Sequence, residues 1–216
     1  MKIPPLKKSY GERTVLNLPE LTLDSGKIYA VVGANGSGKS TMAKLIAGIE
    51  AADSGNVRLD FAPGYMPQKS YAFSMTTRRN ILLGGNDPDR CRDFMDALQI
   101  SHLADKAGNR LSGGETARMA LARVLMTPRE LVILDEPTSA MDMESTLLSE
   151  QLMQKYCRES RSTILLITHS LQQARRIADE IIYLEHGELV EQGPCEPELT
   201  CPKDSRFQKF LEFYGI

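Results

Sequence analysis

The segment Lys27-Ile28-Tyr29-Ala30-Val31-Val32-Gly33-Ala34-Asn35-Gly36-Ser37-Gly38-Lys39-Ser40 divides into two parts of different chemistry. Through Val32 it is short, continuously apolar after the lysine and largely β-branched, the pattern of a strand buried on both faces of a parallel sheet. From Gly33 it fits GxxxxGK[ST] and runs on into a helical stretch ending near Ala47. Strand, glycine-rich loop and helix in that order are the setting that a phosphate loop requires. The glycines let the backbone curl so that successive N–H groups point inward and cradle a β-phosphate at the positive end of the helix. Lys39 then reaches the β- and γ-phosphates, the Ser40 hydroxyl ligates Mg²⁺ and Thr41 bonds the α-phosphate. Chance alone gives this pattern in roughly one chain in a hundred of this length.

Two further runs, Leu131-Val132-Ile133-Leu134 and Thr163-Ile164-Leu165-Leu166-Ile167-Thr168, repeat the buried-strand pattern, and each leads through a polar turn into a helix-like segment. That alternation predicts an α/β fold with its ligands at the carboxyl ends of the strands. Residues 1–25 and 55–67 differ, with alternating or short strands and the breakers Pro19, Gly26, Gly55, Pro63 and Gly64, which predict a smaller antiparallel sheet. Between Thr76 and Asp105 the pattern is helical, interrupted by Gly84-Gly85 and Asn86-Asp87-Pro88, and Gly113 to Thr127 is helical again. The expected organisation is one domain over 1–216. It has a mostly parallel core sheet, an antiparallel β lobe at about 1–26 and 55–67, and an inserted helical lobe at about 69–127. Phe207, Phe210, Leu211 and Tyr214 recur at helical spacing near the end and predict a packed terminal helix.

Composition bounds the partners. The chain has 216 residues, 28 acidic and 26 basic, for a net charge of −2. That size suits one substantial domain, and that charge supplies no long-range positive field, so no nucleic-acid partner is expected. No apolar run reaches the roughly 18 residues of a membrane span, and the opening Met1-Lys2-Ile3-Pro4-Pro5 lacks the apolar stretch of a secretory signal; a cytosolic chain is expected. Cys91, Cys157, Cys195 and Cys201 form no CxxC pair and read as free thiols, since Cys195 and Cys201 without nearby histidines do not complete a zinc site.

A phosphate loop by itself leaves a nucleotide kinase, a GTPase or a transporter motor open. Leu131-Val132-Ile133-Leu134-Asp135-Glu136 narrows the choice, because it ends a buried strand in two adjacent carboxylates. Asp135 there supports Mg²⁺ through its water shell, and Glu136 polarises an attacking water as general base. Leu111-Ser112-Gly113-Gly114-Glu115 opens a long helical stretch, with Ser112 and Glu115 spaced as a capping box. The same glycine-rich helix start is an anion receptor, suited to a γ-phosphate presented by another subunit.

In this order and spacing the chain resembles, over nearly its whole length, the ATP-binding subunit of an ATP-binding cassette (ABC) transporter, of the prokaryotic importer kind. The resemblance implies a P-loop NTPase fold with a RecA-like core, and ATP hydrolysis with ATP and Mg²⁺ as cofactors. It places Tyr10 against adenine and Gln68 against Mg²⁺ and the attacking water. Asp142 ends the D-loop Ser139-Ala140-Met141-Asp142, and His169 is the switch histidine on the γ-phosphate. The implied catalytic set is Glu136, His169, Gln68 and Lys39, and the implied metal set is Ser40, Gln68 and Asp135. The implied nucleotide contacts run from Gly33 through Thr41 with Tyr10 and Asp142, and Ser112, Gly113, Gly114 and Glu115 serve the nucleotide of a partner. The implied partners are a second copy or a similar cassette, paired head to tail, and separate transmembrane permease subunits. Those subunits would meet a groove near Gln68 to Asn80 that carries Tyr71, Phe73 and Met75, with the chain peripheral on the inner face of the cell membrane. The alternative, a soluble cassette acting in translation or DNA maintenance, normally has two cassettes on one chain or a long coiled-coil insertion, and neither is present.

Overall fold

The computed structural model describes residues 1–214 except Asn56 and Arg58, together with all but the side chains of Pro197 and Glu198. Two positions of the expected antiparallel lobe, 56 and 58, therefore lie outside the described residues. The core is set by three strands, β5 (Ile28–Val32), β7 (Leu131–Asp135) and β8 (Thr163–Ile167), each buried at every position. They are the three runs that read as continuously apolar. Around them an eight-stranded sheet runs in the order β2-β3-β10-β9-β5-β8-β7-β6. Its remaining members are β2 (Leu6–Tyr10), β3 (Arg13–Leu18), β6 (Gly64–Met66), β9 (Glu180–Glu185) and β10 (Glu188–Pro194). From β9 to β6 every pairing is parallel.

Alternate residues of the central strands feed two different cores, as a parallel sheet covered on both faces demands. Ile28, Val132, Leu134, Ile164 and Leu166 pack on one side with α4 (Gly113–Leu125), α5 (Met143–Ser160) and the helices α2 (Thr77–Leu82) and α3 (Pro88–Ala97). Tyr29, Val31, Ile133, Leu165 and Ile167 pack on the other with α1 (Lys39–Ile46) and the β2–β3 hairpin. A third cluster gathers α6 (Leu171–Ile177), the short α7 (Cys195–Glu198) and α8 (Ser205–Tyr214) over β9. There the Phe207 ring stacks on Tyr183 with centroids 4.5 Å apart. The terminal helix packs through Phe207, Leu211 and, in part, Phe210, while Tyr214 touches Phe210 but stays exposed.

The helical stretch from Thr76 to Asp105 resolves into α2 and α3, capped by the side chains of Thr76 and Asp87, with Pro88 opening α3. The break between them is a close approach: a Cβ on Gly84 would stand 1.8 Å from the Arg123 carbonyl of α4. The amino-terminal strands are antiparallel, β2 with β3 and β1 (Lys2–Ile3) with β4 (Leu21–Thr22). The β2–β3 hairpin continues the large sheet through Asn17 and Glu188. One expectation is corrected: Gly64–Met66, grouped by sequence with the antiparallel lobe, pairs in parallel with Val132–Leu134 and is the edge strand of the core. Three residues are too few to display two-sided burial, and the Pro63-Gly64 breaker masks their strand character.

Parallel pairing fixes where the chemistry lies. Val31 is level with Ile167, Asp135 with Ile167 and Met66 with Leu134. The chain therefore leaves β5, β8, β7 and β6 at one edge, delivering Gly33, His169, Glu136 and Gln68 to the same place.

Candidate functional site

The loop after β5 turns into α1 at Gly38, whose φ of 100° is open only to glycine without strain, and whose absent Cβ would lie 2.9 Å from the Val15 carbonyl. No side chain caps α1, whereas Thr76, Asp87, Ser112, Asp142 and Ser170 each accept a hydrogen bond from an amide of the helix they begin. The phosphate-loop helix thus presents its positive end to whatever anion sits in the loop. Lys39 is buried and its Nζ donates to the carbonyls of Gly33 and Ala34 at 2.8 and 2.9 Å. Burial holds its ammonium below the usual lysine range against the opposing pull of Glu136 and Asp135. The Ser37 hydroxyl, buried in the same loop, has no hydrogen-bond partner among the described residues.

Opposite the loop, Asp135 is 2% exposed and accepts a hydrogen bond of 3.3 Å from the Ser40 hydroxyl. Its carboxyl is pushed above the ordinary range by burial, and further by the Glu136 charge, with Ser40 opposing. Glu136 stands at φ 49°, a left-handed conformation uncommon outside glycine, and its amide donates to the Ile167 carbonyl at 3.0 Å. That local strain, held by the β8 end, aims the side chain across the sheet edge. Two groups converge on it: Gln68 Nε2 donates to Oε2 at 2.9 Å, and His169 Nε2 lies 2.5 Å from Oε1. The phosphate loop, Asp135 and Glu136, Gln68 and His169 are thus brought together at four strand ends.

Of the other expected site residues, Tyr10 reaches the first turn of α1 with its hydroxyl against Thr41, whereas Ser112 and Asp142 bond within their own helix starts. Tyr10 ends β2 with its ring half exposed, its hydroxyl bonded to Glu50 and Lys8 Nζ 5.5 Å from its centroid. Ser112, Gly113, Gly114 and Glu115 begin α4 as a full capping box: the Glu115 amide donates to Ser112 Oγ at 3.2 Å, and the Ser112 amide to Glu115 Oε2 at 2.8 Å. Lys106 completes it at 2.9 Å from Glu115, and these bonds hold the Glu115 carboxyl below its ordinary range, the Ser112 amide contributing most. Asp142 is spent on its own helix, accepting the Ser145 amide at 2.7 Å as the cap of α5. Among the described residues no group of three histidine, cysteine or acidic side chains is arranged to hold a metal, and the cysteines are unbridged.

A polar cluster beside the site was not foreseen. A cleft of about 300 Å³ runs from Glu136 and His169 to Thr138, Gln173 and Arg176. Gln173 lies in the first turn of α6. Ser170 does accept its amide at 3.1 Å, but the Gln173 side chain turns away to Thr138 and Glu150.

The ABC transporter family model matches residues 16–139. The chain belongs to the ABC transporter family. It is an ATP-binding subunit of a membrane transporter and an ATP hydrolase. This ABC subunit is 39% identical over 204 residues to the tungstate uptake system ATP-binding protein TupC of Peptoclostridium acidaminophilum, covering 86% of the chain and 94% of the relative. It is 31% identical to the aliphatic sulfonates import ATP-binding protein SsuB of Granulibacter bethesdensis, covering 97% of the chain and 90% of the relative. An ATP-binding cassette solved as a dimer in a post-hydrolysis state with ADP and Pi superposes with a TM-score of 0.80 at 25% identity, covering 90% of this chain and 98% of that one.

Proposed function

We propose that this subunit hydrolyses Mg-ATP at composite sites formed head to tail with a second cassette, and so powers the import of a small oxoanion through separate membrane subunits. The observation that carries the site is the convergence of Gln68 and His169 on Glu136 beside an uncapped phosphate-loop helix. Gly33 through Thr41 would wrap the phosphates, with Lys39 exchanging its two carbonyl partners for β- and γ-phosphate oxygens. Tyr10, exposed at the rim, offers its face to adenine.

The donor set fits Mg²⁺: a serine hydroxyl, a carboxylate and a glutamine side chain are hard oxygen donors, and a buried carboxylate such as Asp135 gains from a cation beside it. Ser40, Asp135 and Gln68 would hold the ion, which would supply positive charge against that developing on the phosphates. Glu136 takes the proton of the attacking water, and His169 moves from Glu136 to a γ-phosphate oxygen. The Ser112 helix start, whose own hydrogen bonds leave the serine proton free to donate, serves the partner's nucleotide.

No helix among the described residues is long and apolar enough to cross a membrane, and a docking surface for membrane subunits is at hand. Tyr71 and Phe73 are 54% and 43% exposed and meet edge to face at 5.3 Å. Arg123 of α4 lies 5.0 Å over the Tyr71 ring, and the Asn80 amide donates to the Phe73, Met75 and Thr76 carbonyls, so the loop is presented firmly. On this reading a short cytoplasmic helix of a permease docks on that face, with the subunit on the inner side of the membrane. The solute class is supported by the names of the two relatives, which serve tungstate and sulfonates. Cells whose only copy carries Lys39→Ala should accumulate less tungstate or alkyl sulfonate, read by elemental mass spectrometry. Unchanged accumulation of both would contradict the oxoanion assignment.

A further inference from the structure

Gln173 belongs to none of the motifs above, yet it is 2% exposed and both hydrogens of its amide are used. Its Nε2 donates to the Thr138 hydroxyl at 3.0 Å and to Glu150 Oε1 at 3.1 Å. Glu150 is a buried carboxylate on α5, and Arg176 grips it with two bonds, Nε to Oε2 at 2.9 Å and Nη2 to Oε1 at 2.7 Å. Glu150 is buried but Arg176 lies at the surface, where an ion pair contributes little, so stability alone does not account for this cluster. A fully satisfied polar network does fix the relative position of the elements that share it.

The elements so fixed carry the two groups that close on each other at 2.5 Å. Thr138 lies in the loop just past Glu136, where the Ser139 hydroxyl and amide donate to the Glu136 carbonyl at 3.0 and 3.2 Å. On the other side, Gln173 is in the first turn of α6, whose cap Ser170 directly follows His169 and donates its amide to the Thr168 hydroxyl at 3.0 Å. One amide therefore ties the Glu136 loop to the His169 loop, with Glu150 and Arg176 holding it in place from behind.

We propose that Gln173 is a positioning residue for ATP hydrolysis, setting the spacing of His169 and Glu136 while touching neither nucleotide nor water. The inference rests on the roles given to those two residues. Reacting groups displaced by an ångström lose rate far more than affinity, so the signature is a fall in kcat with binding preserved.

Gln173→Leu keeps the volume and removes both amide bonds. The purified chain carrying it should bind Mg-ATP within about twofold of wild type and turn over about tenfold or more slowly. Gln173→Glu should be slow as well, because it sets a second carboxylate against Glu150. Adding Glu150→Gln exchanges amide and carboxylate, removes the clash of two carboxylates, keeps one acceptor oxygen for Arg176 and leaves the Thr138 hydroxyl able to donate. The double variant should return to within about threefold of the wild-type rate. Folded Gln173→Leu at the wild-type rate, or a double variant no faster than Gln173→Glu, overturns the proposal. If Gln173→Leu does not fold, the charge-exchange pair decides alone. Lys39→Ala, run alongside, separates the two layers. Its loss of ATP with an unaffected Gln173→Leu overturns only the positioning role, whereas ATP binding unchanged by Lys39→Ala removes the site assignment and the positioning role with it.

Discussion

Ionising Asp135 costs the fold stability. Burial raises its carboxyl pKa above the ordinary aspartate value, so between those two values the folded chain binds more protons than the unfolded one. Stability contributed by this residue is therefore present at low pH, falls as pH rises through that window, and stays lowered above it. Asp135→Asn removes the charge while keeping an acceptor for the Ser40 hydroxyl. Without nucleotide, that variant should melt at a higher temperature than wild type at pH 7, and the gap should close below the ordinary aspartate pKa. Its ATP hydrolysis should fall by about a hundredfold or more, as expected when a charge facing the reacting phosphates is lost. A lower melting temperature at pH 7 would contradict the burial argument. The neighbouring Glu136 shows a different strain, its positive φ, which no sequence pattern announces because it is imposed by the bond from its amide to Ile167.

Among the elements, the helix starts divide by how their first amides are used. The α1 start has no side-chain cap and is open to a phosphate of its own nucleotide, while the α4 start is closed by Ser112 and Glu115 and exposed at the surface. Ser112→Arg should therefore leave ATP affinity of the single chain within about twofold of wild type, because its position is remote from the phosphate loop. Turnover should collapse by about a hundredfold or more, because the arginine obstructs the partner's γ-phosphate. Loss of the cap costs only about 1 kcal/mol and should show as a small shift in melting. Normal hydrolysis by this variant would contradict composite sites. Both motifs were legible because they are punctuated by glycines beside periodic apolar residues, and β5, β7 and β8 were legible because strands buried on both faces read as unbroken apolar runs. Gly64–Met66 was not legible as a core strand, being short and introduced by a breaker. Gln173, Glu150 and Thr138 were not legible as a cluster, because they come from separate elements and only the packing of α5 and α6 on the loop after β7 brings them together.

At the scale of the whole molecule, each chain holds a phosphate loop with Glu136 and His169 at one sheet edge, and a glycine-rich helix start that none of these groups uses. In the proposed assembly two chains related head to tail would satisfy both, with ATP at the joint. On that proposal hydrolysis would release the joint, and the aromatic loop at Tyr71 and Phe73 would pass the opening to the membrane subunits. Glu136→Gln preserves the shape of the base and one acceptor oxygen for the Gln68 amide while abolishing proton acceptance, a loss of about 10²- to 10⁴-fold in rate. The closed pair should then persist long enough to be weighed. Size-exclusion chromatography with light scattering on Glu136→Gln in Mg-ATP should give twice the 24.0 kDa of the chain, and the single-chain mass in Mg-ADP. A variant that stays single in both nucleotides, or that releases phosphate at nearly the wild-type rate, would contradict the account.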